Sequence, residues 1–234
     1  MKVTIGKSVK HRPIEAFLLG SSASPTLLIF GGFHGDEPQS VSLARRLSDW
    51  LEPETAAAPD VCWVIVPLVN PDGYARRRRR NVRGVDINRN FPTQDWVRGR
   101  KRSRMFGGDR PESEPETRAV MKAVQRFGPR VIVSIHSISG GRQCNNYNGP
   151  GRRWAKLMAR CNSYPVTDSI GYPTPGSFGT WAGVELGIPT ITLELPTHHS
   201  LKRCWADNRG AFAALGVSLS RHRRLPPLTL KANS

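Results

Sequence analysis

Apolar residues are distributed along the chain in two ways. Short, nearly unbroken runs, TLLIF (26–30), VCWVIVPLV (61–69), RVIVSIH (130–136) and IPTITLEL (188–195), lack the alternation of a strand with one wet face. They read as strands buried on both sides, the habit of parallel sheets covered by helices. Between them lie stretches whose apolar residues recur every three or four positions and predict helices: QSVSLARRLSDWL (39–51), SEPETRAVMKAVQRF (113–127), RWAKLMARCN (153–162) and WADNRGAFAALGVSLS (205–220). In the second of these, Ser113 and Glu116 have capping-box spacing and Pro115 sits in the first turn. The order of strands and helices is that of an α/β protein. Residues 70–112, rich in Arg, Gly, Asn and Pro, follow neither pattern and read as a functional loop rather than a linker.

Composition narrows this only a little. With 234 residues, 38% of them hydrophobic and 23% charged, the chain suits one globular domain spanning 1–234. No apolar stretch is long enough to cross a bilayer, and the opening MKVTIGKSVKHRPIEAFLLGSS offers only AFLLG after its lysines. That falls short of a signal-peptide core, so a cytoplasmic protein is expected, with no membrane association. The four cysteines, Cys62, Cys144, Cys161 and Cys204, form no CxxC pair and read as reduced thiols. Charge changes the picture more: 35 Lys+Arg against 18 Asp+Glu give a formal net charge of +17, concentrated at 76–80, 98–104 and 221–224. Such a field attracts nucleic acid, acidic surfaces or small anionic substrates without choosing among them.

Candidate chemistry lies at the ends of the apolar runs, where open α/β sheets bind ligands. His34 and Glu37, spaced H-x-x-E, follow the first strand; His136 ends the third; Glu194 lies near the end of the last. Two histidines and a glutamate with one open position make a catalytic zinc site, and Glu194 is then a candidate base toward the water held there. Each residue also has a plainer reading. H-x-x-E occurs by chance, His136 fits a strand-end histidine bonded to backbone, and Glu194 fits a partner for one of many arginines. Asp36 suits either coordination or a hydrogen bond to an imidazole. His198 and His199 read as loop or pocket wall, and His11 and His222 belong to no motif.

The segment NPDGYARRRRRNVRGVDINRNFP (70–92), with HGDE before it, SIHS after it and TLELP near the end, resembles the zinc metallocarboxypeptidases. Within them, SEPET, NNYNGP and GYPTPGSFGTWAG are similar to the bacterial murein peptide amidase branch. The motifs extend from about residue 26 to 196. The resemblance implies a carboxypeptidase-like domain: a mixed, mostly parallel sheet with helices on both faces and one Zn2+ per chain. It places His34, Glu37 and His136 on the metal and Glu194 as the base that activates water and returns the proton to the leaving amine. Arg79, in R-x-N-x-x-G-V-D, falls on the arginine that stabilises the oxyanion, with Arg78 or Arg80 one slip away. Asn88 and Arg89 match the pair that holds the substrate's terminal carboxylate, and Tyr172 the tyrosine that covers the bound substrate. Asn146 and Tyr147 are pocket candidates. The flanking arginines depart from a pattern that asks for one; they read as a solvated loop or as a lure for a multiply anionic substrate.

That branch cleaves the bond between γ-D-glutamate and meso-diaminopimelate in wall-derived peptides, which implies a small anionic partner, no specific nucleic acid, and PTPGSFGTW (173–181) lining the leaving residue's pocket. A homodimer is left open. Two other classes remain in view: a zinc deacylase of N-acyl amino acids, similar to aspartoacylase and succinylglutamate desuccinylase, and a basic module that binds polyanions without catalysis.

Overall fold

A computed structural model describes residues 1–57 and 60–221; His222 and the last arginines of 221–224 lie outside the described residues. Among the described residues the strands are β1 (Lys2–Lys7), β2 (Pro13–Leu19), β3 (Thr26–Phe30), β4 (Cys62–Val66), β5 (Val131–Ile138), β6 (Cys144–Asn148), β7 (Val166–Thr167) and β8 (Thr190–Pro196). They form one sheet in the order β1-β2-β4-β3-β5-β8-β6-β7. The four apolar runs are its centre: β4, β3, β5 and β8 lie parallel, and every residue of β3 and β4 is buried. Antiparallel pairs attach β2 to β4 and β6 to β8, so the sheet is mixed around a parallel core.

Among the described residues there are five α-helices: α1 (Pro38–Ala57), α2 (Pro71–Ala75), α3 (Pro115–Phe127), α4 (Arg152–Asn162) and α5 (Leu201–Ser220). The period-2 pleat sorts the core into two layers. Leu27 and Ile29 of β3 face α1, α4 and α5 through Leu47, Met158 and Phe212. Leu28 and Phe30 face the other way, toward Val120 and Val124 of α3 and toward Phe178 and Trp181. Helices thus cover both faces, as the continuous apolar runs require.

The predicted capping box does not form. Helix α3 starts at Pro115 with Glu114 as its cap, and no side chain caps it. Glu116 is buried and accepts from the Val9 backbone N–H at 3.2 Å and from Asn81 at 3.3 Å, while Ser113 Oγ donates to Glu114 at 2.8 Å. Tertiary donors outcompete the local one for the Glu116 carboxylate. Among the described residues, no helix is long and apolar enough to cross a membrane.

Candidate active site

Parallel register brings the candidates together. Strands β5 and β8 pair His136 directly with Glu194, and β3 on the other side of β5 stops at Phe30, so the chain leaving it turns over the His136 end. That turn needs glycine. At Gly32 φ is +66°, and a Cβ on Gly35 would stand 2.1 Å from the Gly73 carbonyl carbon. Gly73 is equally confined, 2.4 Å from the Asn70 amide nitrogen. The HGDE and NPDG turns therefore meet backbone to backbone. Asn70, fully buried, ties them: its Nδ2 donates to Phe33 O and Arg79 O, both at 3.2 Å, and its Oδ1 accepts from Gly73 N at 2.8 Å.

On this support His34, Glu37 and His136 converge, each buried, with one donor atom apiece within 4.8 Å of the others. His34 Nδ1 stands 2.7 Å from Glu37 Oε1, and His136 Nδ1 is 3.2 Å from both His34 Nδ1 and Glu37 Oε2. The far nitrogens are held elsewhere: His34 Nε2 by Asp86 Oδ1 at 3.0 Å and His136 Nε2 by Ser134 Oγ at 3.0 Å. Burial opposes ionisation of Asp86, but Arg79 and His34 hold its carboxyl well below the usual range, so it stays a carboxylate and accepts from His34 Nε2–H. His34 Nδ1 is left with a lone pair beside a carboxylate oxygen, an arrangement relieved only by a proton or a cation between them. Two imidazole nitrogens and a carboxylate oxygen facing one point fit zinc, which accepts that mixed set with a further position open.

The remaining candidates border the same point. Arg79 turns inward, its Nε and Nη2 on Asp86 Oδ2 at 3.0 and 2.9 Å, which leaves Nη1 facing the site, 3.7 Å from Glu37 Oε1. Among the described residues, the Glu194 carboxylate has no hydrogen-bond partner; burial, then the Glu37 charge, push it up to about 8. Arg89 is buried and its guanidinium lines the cleft; Nη1 donates to Asn88 O, and the enclosed Nε meets no acceptor among the described residues. Asn88 Oδ1 accepts from Phe178 N at 2.9 Å, which turns Nδ2 toward His136. With Tyr172, 40% exposed, these residues border a cleft of about 250 Å³ whose far wall is Asn148, Asp168, Thr174, Ser177, Thr180 and Thr192.

Other candidates fall elsewhere. Asp36 neither joins the metal group nor meets an imidazole; it faces Arg104 at 3.8 Å, and Asp86 holds His34 instead. Asn146 lines the cleft, but Tyr147, next along the pleat, packs on the opposite face. In PTPGSFGTW, Pro173, Thr174, Ser177, Gly179 and Thr180 reach the cleft while Phe178 and Trp181 fill the core. His199 pairs with Asp207 at 3.1 Å and meets the His198 ring edge-on, outside the cleft. Sequence reasoning missed Asp86, Asn70 and Ser134.

The model of the zinc carboxypeptidase family matches residues 1–149, more than half of the chain. The chain belongs to the zinc carboxypeptidase family. This zinc carboxypeptidase is 33% identical over 202 residues to murein peptide amidase A of Escherichia coli K12, covering 82% of this chain and 79% of the relative. The Vibrio campbellii protein of the same name is 31% identical over 205 residues, covering 82% and 77%. The crystal structure of murein-tripeptide amidase from Escherichia coli O157 superposes with a TM-score of 0.68 at 29% identity, covering 97% of this chain and 92% of the other. Carboxypeptidase A of Helicoverpa armigera shares the fold, with a TM-score of 0.81 at 19% identity, over 95% of this chain and 68% of its own. The family match reaches back to residue 1, well before the first quoted motif, and takes in β1 and β2. The protein is thus a zinc metallopeptidase.

Proposed function

We propose that this enzyme hydrolyses the γ-D-glutamyl–meso-diaminopimelate bond of murein peptides. The observation that carries the reading is one cleft lined both by Glu194, a buried carboxylate with no hydrogen-bond partner among the described residues, beside the His34–Glu37–His136 group, and by the buried guanidinium of Arg89. The first suits attack by water on a carbonyl; the second suits a substrate with a free terminal carboxylate. The murein peptide amidase relatives supply the peptide class.

Zinc held by His34, Glu37 and His136 would supply Lewis-acid chemistry toward water and the scissile carbonyl. Arg89 and Asn88 bind the terminal carboxylate and so fix which bond is presented. Arg79, anchored by Asp86, donates from Nη1 to the carbonyl oxygen as charge gathers there, a contribution of about 3–4 kcal/mol for a fixed donor. Glu194 takes the proton from water and passes it to the departing amine. Tyr172 stands at the rim, where closing over the peptide would exclude solvent. The small polar wall of Thr174, Ser177, Thr180 and Thr192 with Asp168 accepts a leaving residue whose side chain ends in charged groups.

Incubation with L-alanyl-γ-D-glutamyl-meso-diaminopimelate and, separately, with N-acetylaspartate tests the reading. Cleavage of the tripeptide alone is expected. Turnover of acyl-aspartate alone would move the protein to the deacylases. Metal-independent, salt-sensitive binding of polyanions without either reaction would mark a basic binding module.

A further inference from the structure

Past Arg79 the cleft continues into a second hollow of about 320 Å³, which meets the first at Glu37, Arg79, Arg89 and Tyr172. Its outer walls come from residues given no part in the chemistry above: Asp36, Arg104, Ser139, Arg142 and Thr197. Arg104 reaches in from the basic loop; its side chain is 77% exposed, and Nη2 stands 3.8 Å from Asp36. Arg142, in the turn between β5 and β6, donates from Nε to Ser139 O at 3.2 Å. Its two terminal nitrogens meet no protein acceptor among the described residues. Asp36 offsets one of these two charges, so the hollow keeps a surplus of positive charge and free guanidinium N–H groups. Both arginines are carried by loops that flank the strand ends bearing His34 and His136.

A peptide whose terminal carboxylate is held by Arg89, with its leaving side chain against Thr180 and Thr192, has its acyl half left to run out through this second hollow. We propose that Arg104 and Arg142 read that acyl half, binding a free carboxylate on the residue that donates the scissile carbonyl and selecting it over a neutral counterpart. The inference rests on the proposed function and deepens it. In a γ-linked glutamyl peptide the α-carboxylate stays free on the acyl side of the scissile bond. In the isoglutaminyl peptide the same position is a carboxamide of nearly the same shape, without charge. Guanidinium groups pair with the first in charge-assisted hydrogen bonds. The carboxamide offers one weaker acceptor and turns an N–H₂ donor toward the arginines.

The test compares kcat/KM on L-alanyl-γ-D-glutamyl-meso-diaminopimelate and its isoglutaminyl counterpart for zinc-loaded wild-type enzyme, the R104Q/R142Q double variant, the R104K/R142K double variant and R78Q. Arg78 borders a neighbouring hollow with Arg104 but not this one, so R78Q reports general attraction of anions. Wild type favours the free carboxylate by about tenfold, the scale of one charge-assisted hydrogen bond in a partly solvated site. R104Q/R142Q brings the ratio near one by raising KM on the carboxylate peptide while kcat holds; the lysine pair keeps part of the preference, and R78Q keeps all of it. A wild-type ratio of one, or a preference that survives R104Q/R142Q, overturns the inference and leaves the proposed function standing. If wild type cleaves neither peptide, both fall.

Discussion

At the residue scale, the site sets groups that are tied in place, His34 and Arg79 on Asp86, beside Glu194, whose carboxylate has no hydrogen-bond partner among the described residues. Glu194→Gln removes the proton carrier while keeping shape, so kcat falls by about a hundred- to ten-thousandfold with zinc content and substrate affinity retained; steady-state kinetics beside metal analysis checks this, and retained turnover rules out the base. Arg89→Lys loses the planar fork, and peptides with a free terminal carboxylate lose about 1.5–3 kcal/mol of binding. That loss is read as a rise in KM with kcat little changed, and an unaltered KM removes Arg89 from the carboxylate site. The gathering of His34, Glu37 and His136 was legible in the sequence because the ends of neighbouring strands in a parallel sheet come to one edge. Asp86 was not, since its partner His34 lies 52 positions away and only the folded loop brings them to 3.0 Å.

At the scale of elements, the four central strands were legible from unbroken apolarity, and the edges were not. Strand β6 reads CNNYN, a composition that propensity assigns to a loop, and β1, KVTIGK, is too short and mixed to stand out; both become strands because a neighbour supplies the ladder. The capping box at α3 failed for a similar reason, a distant donor taking the local acceptor. Gly35 is where two elements touch most closely. Gly35→Ala would set a methyl group against the Gly73 backbone at 2.1 Å, and the turn carrying His34 and Glu37 would have to move. A loss of about 1–3 kcal/mol in stability follows, accompanied by weaker zinc retention. Calorimetry with metal analysis measures both, and a wild-type melting temperature with full zinc content would contradict the close approach.

At the scale of the whole molecule, the surplus of positive charge is less uniform than the arginine run suggests. Of residues 76–80, Arg79 is spent on Asp86 and Arg80 donates to the Lys101 and Ser103 carbonyls, while Arg76, Arg77 and Arg78 remain exposed. The charge therefore serves both the site and its surroundings, and encounter with an anionic peptide falls with salt. The thiols report on the packed whole. Cys62, Cys144 and Cys204 are buried and free, and burial raises each above its ordinary range, while Cys161 is exposed on α4. Alkylation of native protein should modify Cys161 alone and reach the other three only on unfolding; mass spectrometry distinguishes this from early labelling of a loosened core.

Release of free diaminopimelate from L-alanyl-γ-D-glutamyl-meso-diaminopimelate tests the central claim most directly, measured for the purified protein, after chelation and after zinc is restored. The structure's account predicts release that a chelator abolishes and zinc recovers; a protein that keeps one zinc per chain yet releases no diaminopimelate would contradict it.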